Sequence, residues 1–233
     1  MLKFVLGVSA STPTLAIHGE TGEIPLSLKM YRLALNFWHR VTSLPGTSLS
    51  KIALRENIEM RSNWIITIEK LIGTLKLADK TGNVHAFQKA TKLALEQGYI
   101  EWWGRELKDP CLSRLSFLRT IKSKFEFESY LQISNFGNRK LIAKLRCSNH
   151  PLEIEKGRHK KKERSDRKCL FCDKNVIEDE KHFLLECDLY YQLKHEYNFE
   201  NFHSTPEFFE NENVEPFGDY LFKAFALREN HGH

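Results

Sequence analysis

Three cysteines and one histidine in residues 169–187 follow a spacing that constrains how this part of the chain folds. The order is Cys169, two residues, Cys172, nine residues, His182, four residues and Cys187. Three thiolates and one imidazole are the donors of a closed, four-coordinate structural zinc site, which leaves no position open for a substrate or a reactive water. The spacing therefore predicts a small zinc module, with the first two cysteines in a tight turn and the other two ligands at the end of a short helix.

A disulfide framework and a redox motif both fit these cysteines less well than a metal site. The chain has five cysteines in 233 residues, and an odd count argues against a disulfide framework and favours a reducing compartment. A redox-active Cys-x-x-Cys would be expected within a βαβ pattern, and none surrounds Cys169. Four unrelated core residues at this spacing remain the simplest alternative.

The composition is that of a folded protein. A length of 233 residues with 41% hydrophobic content supports one large or two small domains. No apolar run approaches the roughly 20 residues of a membrane span, and the N-terminal stretch is too short and too little charged for a signal peptide. We therefore expect a nuclear or cytoplasmic protein that is neither secreted nor bound to a membrane.

Charge divides the chain into three segments, of which residues 1–137 carry 18 basic and 12 acidic side chains, a net charge of +6. Residues 138–168 carry 12 basic and 4 acidic side chains, a net charge of +8, whereas residues 169–233 carry 5 basic and 14 acidic ones, a net charge of −9. We predict a helical region at 1–137, a basic helix and linker at 138–168, a zinc module at 169–200 and an acidic C-terminal helical tail at 201–233. A concentrated basic block attracts phosphate backbones, and an acidic tail can meet a basic protein.

Helical periodicity dominates the sequence, and alternating strand patterns are scarce. The fold class we predict is mainly α, an irregular helical bundle with a small Cys-Cys-His-Cys module near the C-terminus. The opening stretch up to residue 24 is instead typical of irregular structure or a short strand. Apolar spacing predicts helices over residues 25–38, 64–75, 84–97 with Gly98 as the C-cap, 100–107, 112–121, 138–146, 189–197 and 216–228.

Two basic groups are candidates for nucleic-acid contacts through the phosphate backbone. In the helix predicted over residues 138–146, basic side chains lie opposite the apolar side, and in residues 156–168 eight of thirteen residues are Lys or Arg. The second group also resembles a nuclear import signal, and a solvated linker is the alternative for it. The candidate residues are Arg139, Lys140, Lys144, Arg146, Arg158, Lys160, Lys161, Lys162, Arg164, Arg167 and Lys168.

The sequence contains no recognisable active site. A Gly-rich phosphate loop, the common hydrolase motifs and a polymerase-type pair of aspartates are all missing. The acidic trio Glu178, Asp179 and Glu180 precedes the helix expected to carry His182, where capping explains it, although one carboxylate could also accept the His182 ring N–H. We predict no catalytic residues.

Several segments carry a further signal, namely residues 3–8, 16–20, 145–158, 167–172 and 177–187, with Tyr190. In this order they resemble the C-terminal region of the reverse-transcriptase polyproteins of animal non-LTR (LINE-type) retrotransposons. The most specific part is Glu-Asp-Glu-Lys-His-Phe-Leu at residues 178–184. In that family this region follows the polymerase and ends in a Cys-Cys-His-Cys zinc segment associated with nucleic-acid binding. The resemblance implies the same four zinc ligands here, but no polymerase activity, because the catalytic aspartates lie outside the matching region.

The leading hypothesis is a non-catalytic, zinc-stabilised remnant of such a protein that binds RNA or DNA. One alternative is a helical protein-interaction module in which zinc only holds the fold and the acidic tail meets a basic partner. Another is a fragment that becomes active when joined to an upstream polymerase.

Overall fold

The structure, a computed structural model, describes residues 2–80, 82–210 and 214–231. Over these residues the chain is mainly helical and forms no β-strand, which confirms the mainly α prediction. Within these described ranges, no helix combines the length and apolar character needed to cross a membrane. The chain forms two compact units, one of residues 23–103 and one of residues 1–22 with 104–233. This division follows packing, whereas the four segments predicted above follow charge and the position of the zinc module.

The unit of residues 23–103 is a small helical assembly. It contains α3 (Leu26–Thr42), α4 (Leu49–Glu59), α5 (Asn63–Thr74) and most of α6 (Val84–Lys108). The Ser48 and Ser62 hydroxyls cap α4 and α5 by accepting hydrogen bonds from backbone N–H groups. Two apolar clusters form its core, one of Leu35, Ile68, Leu77 and Phe87 and the other of Val41, Leu54 and Ile65.

Helix α6 runs past the glycine that was expected to end it. The sequence predicts a C-cap at Gly98, but the helix continues to Lys108 and stops just before Asp109 and Pro110. A glycine inside a helix costs about 1 kcal/mol. Burial of Trp103 and Leu107 beyond it outweighs that cost, because each large apolar side chain contributes roughly 1.5–3 kcal/mol.

The opening stretch forms two helices, so the prediction of irregular structure there is wrong. These are α1 (Leu2–Leu6) and α2 (Thr14–Thr21). Residue Gly22 ends α2 in the left-handed conformation, and a Cβ there would lie 2.7 Å from the backbone nitrogen of Phe127. Ala16 and Ile17 are buried. Tertiary packing therefore stabilises helices too short to form alone.

The second unit is built around the packing of α8 (Phe136–Arg146) along α12 (Val214–Asn230). At their closest approach a Cβ at Gly218 would meet the Asn138 side chain at 2.5 Å, so only glycine fits there. The remaining α-helices are α7 (Ser116–Ile121), α9 (Glu153–His159), α10 (Tyr191–Glu196) and α11 (Glu207–Glu210).

The acidic segment after residue 200 packs into this unit. Phe208, Phe217 and Tyr220 are buried together with Phe199 in a cluster of ring contacts. The metal-ligand candidates lie before these helices, in the last third of the chain, so the predicted position near the C-terminus needs correction.

A buried ion pair joins α2 to α8. The Arg146 guanidinium donates from Nε and Nη2 to the two carboxylate oxygens of Glu20 at 2.7 and 3.0 Å, and the Tyr130 hydroxyl donates to Glu20 at 2.7 Å. Burial alone would lower the pKa of Arg146, but Glu20, followed by Glu128, raises it above its ordinary value. Arg146 therefore keeps its positive charge although it is buried inside the unit.

Replacing Glu20 with Ala should destabilise this unit by about 3–5 kcal/mol, because Arg146 would keep a buried charge without its main partner. Urea unfolding followed by circular dichroism measures the loss. The double variant Glu20→Gln/Arg146→Met should lose less than the sum of the two single variants. A loss below about 1 kcal/mol for Glu20→Ala would contradict the buried pair.

Candidate metal centre

The four predicted ligands meet at one point in the structure. One donor atom from each of Cys169, Cys172, His182 and Cys187 can be chosen so that all four lie within 4.8 Å of one another. The Sγ atoms of Cys169 and Cys187 are 3.9 Å apart, too far for a disulfide, and Cys172 Sγ lies 3.4 Å from His182 Nε2. This Cys3His group can hold a metal ion.

A short hairpin presents the first two ligands. The backbone N–H of Cys169 donates to the Val176 carbonyl and that of Glu178 donates to the Arg167 carbonyl, each at 2.9 Å. Asn175 turns the chain with a positive φ of 53°, and its side-chain oxygen accepts from Lys168 Nζ at 2.7 Å. These contacts confirm the predicted tight turn around the Cys-x2-Cys pair.

A π-helical turn, His182–Glu186, presents the other two ligands. The N–H of Cys187 donates to the His182 carbonyl at 2.8 Å, and this wider turn positions residues five apart toward the same point. Phe183 anchors the turn, because its ring stacks on Phe225 with centroids 5.1 Å apart and meets Tyr190 edge-on at 4.8 Å. Phe183 therefore packs this segment onto α12.

The surroundings of the sulfurs disfavour unpaired thiolates. Burial raises the pKa of the Cys187 thiol to about 12. A hydrogen bond from the Leu189 N–H lowers this pKa, and the neighbouring cysteines raise it further. Burial also raises the pKa of Cys169, against a hydrogen bond from the Phe171 N–H. Several thiolates side by side in a buried site need a nearby positive charge, which a metal ion supplies.

The acidic trio has three separate roles rather than a common one. Asp179 caps the π-helical turn by accepting from the His182 N–H at 3.0 Å, as predicted. Glu178 is buried and accepts hydrogen bonds from Nε and Nη2 of Arg228 at 3.0 and 2.7 Å. Glu180 forms a hydrogen bond with His150 Nε2 at 2.9 Å. The carboxylate beside the His182 ring belongs instead to Glu186, 3.6 Å from Nδ1 and beyond hydrogen-bond distance.

Two lysines that the sequence analysis did not predict to be functional donate hydrogen bonds to carbonyl groups of the π-helical turn. Lys194 is buried and donates to the Leu185 carbonyl at 2.8 Å, and Lys174 donates to the Glu186 carbonyl and to Asp188. Orphan carbonyls at a helix end need such donors. Lysines are common, and their sequence positions carry no signal for this role.

The prediction that α8 presents a basic face to solvent is partly wrong. Arg146 points into the core and pairs with Glu20, so it cannot meet a ligand on the surface. Arg139 is half-buried and donates to the Leu131 and Ile133 carbonyls. The Lys140 stem packs on Gly7, and burial followed by the charge of Lys140 lowers the pKa of Lys144. Lys140 and Lys144 therefore remain the better placed cations of this face.

The basic run of residues 156–168 is an ordered part of the fold. It holds the end of α9 and a 3-10 turn, Arg164–Asp166. Arg167 is half-buried and donates to the Lys162 carbonyl at 2.7 Å and to the Ile154 carbonyl at 3.1 Å. Ion pairs also join Arg158 to Glu155, Lys162 to Glu153 at 3.8 Å, and Arg164 to Asp179 at 3.8 Å.

Lys160 and Lys161 differ from their neighbours. Both are exposed, and neither side chain has a hydrogen bond or an ion pair to any residue that the structure describes. Lys161 takes a positive φ of 57°, so the chain turns sharply there and presents both cations to solvent. We call residues 160–164 the basic turn.

Comparison with known proteins leaves the family of this chain open. No protein-family model matches the sequence, and neither the curated proteins nor the solved structures contain a match. The resemblance to retrotransposon reverse transcriptases therefore remains a hypothesis, supported by its motif residues alone.

Purified protein should carry about one metal ion per chain, and replacing Cys172 with Ser should remove it, because three ligands hold an ion far less tightly than four. Elemental analysis of protein prepared without chelators gives the stoichiometry. Cys111→Ser is the matched control, since Cys111 is exposed and outside the cluster. Loss of metal in both variants, or no metal in the parent protein, would contradict the site.

Proposed function

We propose that the Cys3His group binds Zn2+ and that the chain is a non-catalytic, zinc-stabilised protein that binds RNA or DNA, mainly through the phosphate backbone. The observation that carries this proposal is the attachment of an exposed basic turn to the metal-binding hairpin. The family resemblance points to the same function but is not needed for it.

The spacing of the ligand atoms supports zinc. A tetrahedral site with zinc–sulfur bonds of about 2.3 Å separates two sulfurs by about 3.8 Å, and a sulfur and an imidazole nitrogen by about 3.6 Å. The corresponding distances are 3.9 Å between Cys169 and Cys187 and 3.4 Å between Cys172 and His182. Soft thiolate donors also favour zinc over calcium or magnesium.

Arg167 holds the basic turn in place. It donates to the Lys162 carbonyl in the middle of the turn and to the Ile154 carbonyl in α9, and only Lys168 separates it from Cys169. Metal binding would therefore fix the direction in which Lys160 and Lys161 point. A fixed pair of exposed lysines, with Lys162 and Arg164 beside it, suits phosphate contacts that do not depend on base sequence.

A structural role for the metal follows from its ligand set. Four protein ligands fill a tetrahedral site, so no position is left for an activated water or a substrate. The carboxylates of Glu178 and Glu180 are occupied by Arg228 and His150, so neither is free to hold a catalytic metal pair. These contacts support a non-catalytic chain.

The acidic segment gives little support to the interaction-module alternative. Its carboxylates Glu215 and Asp219 accept hydrogen bonds from Ser134 and Asn138 within the same unit. Its aromatic residues form part of the core. The carboxylates of Glu215 and Asp219 are therefore less available to a basic protein partner.

Replacing Lys160, Lys161 and Lys162 with Gln should weaken binding to unrelated nucleic-acid sequences by similar factors. It should also flatten the salt dependence of the binding constant by up to about three units in log–log slope, since three fewer counterions are released. Fluorescence anisotropy with labelled single-stranded and duplex oligonucleotides over a salt series measures both effects.

The matched control replaces Lys70, Lys89 and Lys92 with Gln. These lysines are exposed on the other unit, and the change in net charge is the same. The control variant should keep most of its affinity. If the variant of the basic turn binds as tightly as the parent at about 0.15 M salt, or if both variants lose affinity equally, phosphate contacts at the turn are excluded.

Primer-extension and nicking assays with Mg2+ or Mn2+ should detect no activity in the purified chain. The expectation rests on the closed metal site and on the engaged acidic trio. Activity that co-purifies with the parent protein and disappears in an Asp179→Asn variant would show that the chain is an enzyme.

A further inference from the structure

Helix α3 has two apolar faces, of which only one is covered. Leu35 on one side is fully buried in the core of its unit. On the opposite side, Leu26, Met30, Leu33 and Phe37 are between 47% and 72% exposed. At 100° per residue these four side chains fall within a sector of about 60°, so they form one continuous stripe along the helix.

The stripe leads into a cavity of ≈ 320 Å³. Phe37 belongs to both, and its ring meets Trp64 edge-on with centroids 6.2 Å apart. Val41, Leu54 and Trp64 form the apolar part of the wall together with the small side chain of Ala53. A large apolar side chain from outside would fit this cavity, as an anchor residue does in a helix-binding groove.

Cations outnumber carboxylates beside the stripe: Glu23 pairs with Lys29 at 2.5 Å, whereas Arg32 and Arg40 have no carboxylate partner among the residues that the structure describes. Within Leu26–Thr42 the charged residues are Lys29, Arg32 and Arg40, and there is no acidic residue. Lys29 and Arg40 lie along the same edge of the stripe at 100° per residue. A second copy of α3 laid on this face would bring like charges together, whereas a helix bordered by carboxylates would pair with them.

We propose that this face of α3 docks an acidic amphipathic helix of another protein, whose apolar residues follow the stripe and whose largest one enters the cavity. The spacing of the stripe, i, i+4, i+7 and i+11, is the spacing that such a helix presents in turn. This surface lies in residues 23–103 and is distinct from the proposed nucleic-acid function, which rests on residues of the other unit.

The test uses the full-length, metal-loaded chain and labelled helical peptides of 17 residues, the length of α3. One peptide has Leu at four positions of this spacing, with a terminal Phe anchor and Glu along both borders. The second has Lys in place of every Glu. In fluorescence anisotropy at low salt the Glu peptide should bind about tenfold more tightly, because the edge cations Lys29 and Arg40 would attract its Glu side chains and repel the Lys side chains of the second peptide.

Three variants locate the binding surface. Met30→Gln/Leu33→Gln removes apolar contacts without changing charge, and Ala53→Phe fills the cavity. Each should weaken binding of the Glu peptide at least about tenfold. Leu93→Gln is the control, since Leu93 is exposed on α6 of the same unit, and it should bind as the parent does. Circular dichroism checks that every variant is folded.

Four results would overturn the proposal. They are no binding of the Glu peptide up to about 1 mM, equal binding of the two peptides, full binding by the Met30→Gln/Leu33→Gln variant, and a dimer of the parent protein that this variant abolishes. The last result would make a second copy of the chain the occupant of the stripe.

Discussion

The buried carboxylate of Glu178 is the contact on which the metal-binding part of the molecule depends. Its side chain accepts hydrogen bonds from Nε and Nη2 of Arg228 in α12. It also accepts one from the backbone N–H of Glu153 in α9 at 2.7 Å. Its backbone donates to Arg167 in the hairpin and accepts from Ile154 in α9. A buried carboxylate without such partners would cost several kcal/mol. One residue therefore fixes the hairpin, α9 and α12 relative to each other.

A metal ion bound by the Cys3His group would reinforce this contact. A two-stranded hairpin is marginally stable by itself in water, and here an isolated bridge between Lys168 and Ile177 is all the pairing the hairpin has. Zinc binding in comparable small modules contributes about 10–16 kcal/mol. Since Glu178 is the residue next to Ile177, the energy of metal binding would be transmitted to α9 and, through it, to the basic turn.

Local patterns in the sequence predicted the parts of the structure that depend on local chemistry. The four ligands follow from residue type and spacing, and the helices over residues 25–38 and 64–75 follow from apolar periodicity, because the same residues that form each helix also bury its face. The Cys-x2-Cys turn is equally local, since its hydrogen bonds close within about ten residues.

Local sequence patterns could not predict contacts between residues that lie far apart in the sequence. Arg146 was placed on an exposed face because its position on α8 is at the edge of the apolar side, and its partner Glu20 lies 126 residues away. The helix through Gly98 depends on the burial of Trp103, and the short helices of the first 22 residues depend on packing against the rest of their unit. In each case a tertiary contact outweighs a local preference.

The central claim is that a metal ion orders the basic turn through the hairpin and Glu178. Amide hydrogen exchange followed by mass spectrometry, on metal-loaded protein and after chelation, tests it most directly. We predict that chelation removes protection in residues 167–187 and also in α9 and the basic turn, while α3 and α5 keep theirs. Unchanged protection of α9 and residues 160–164 after the metal is removed would contradict this claim.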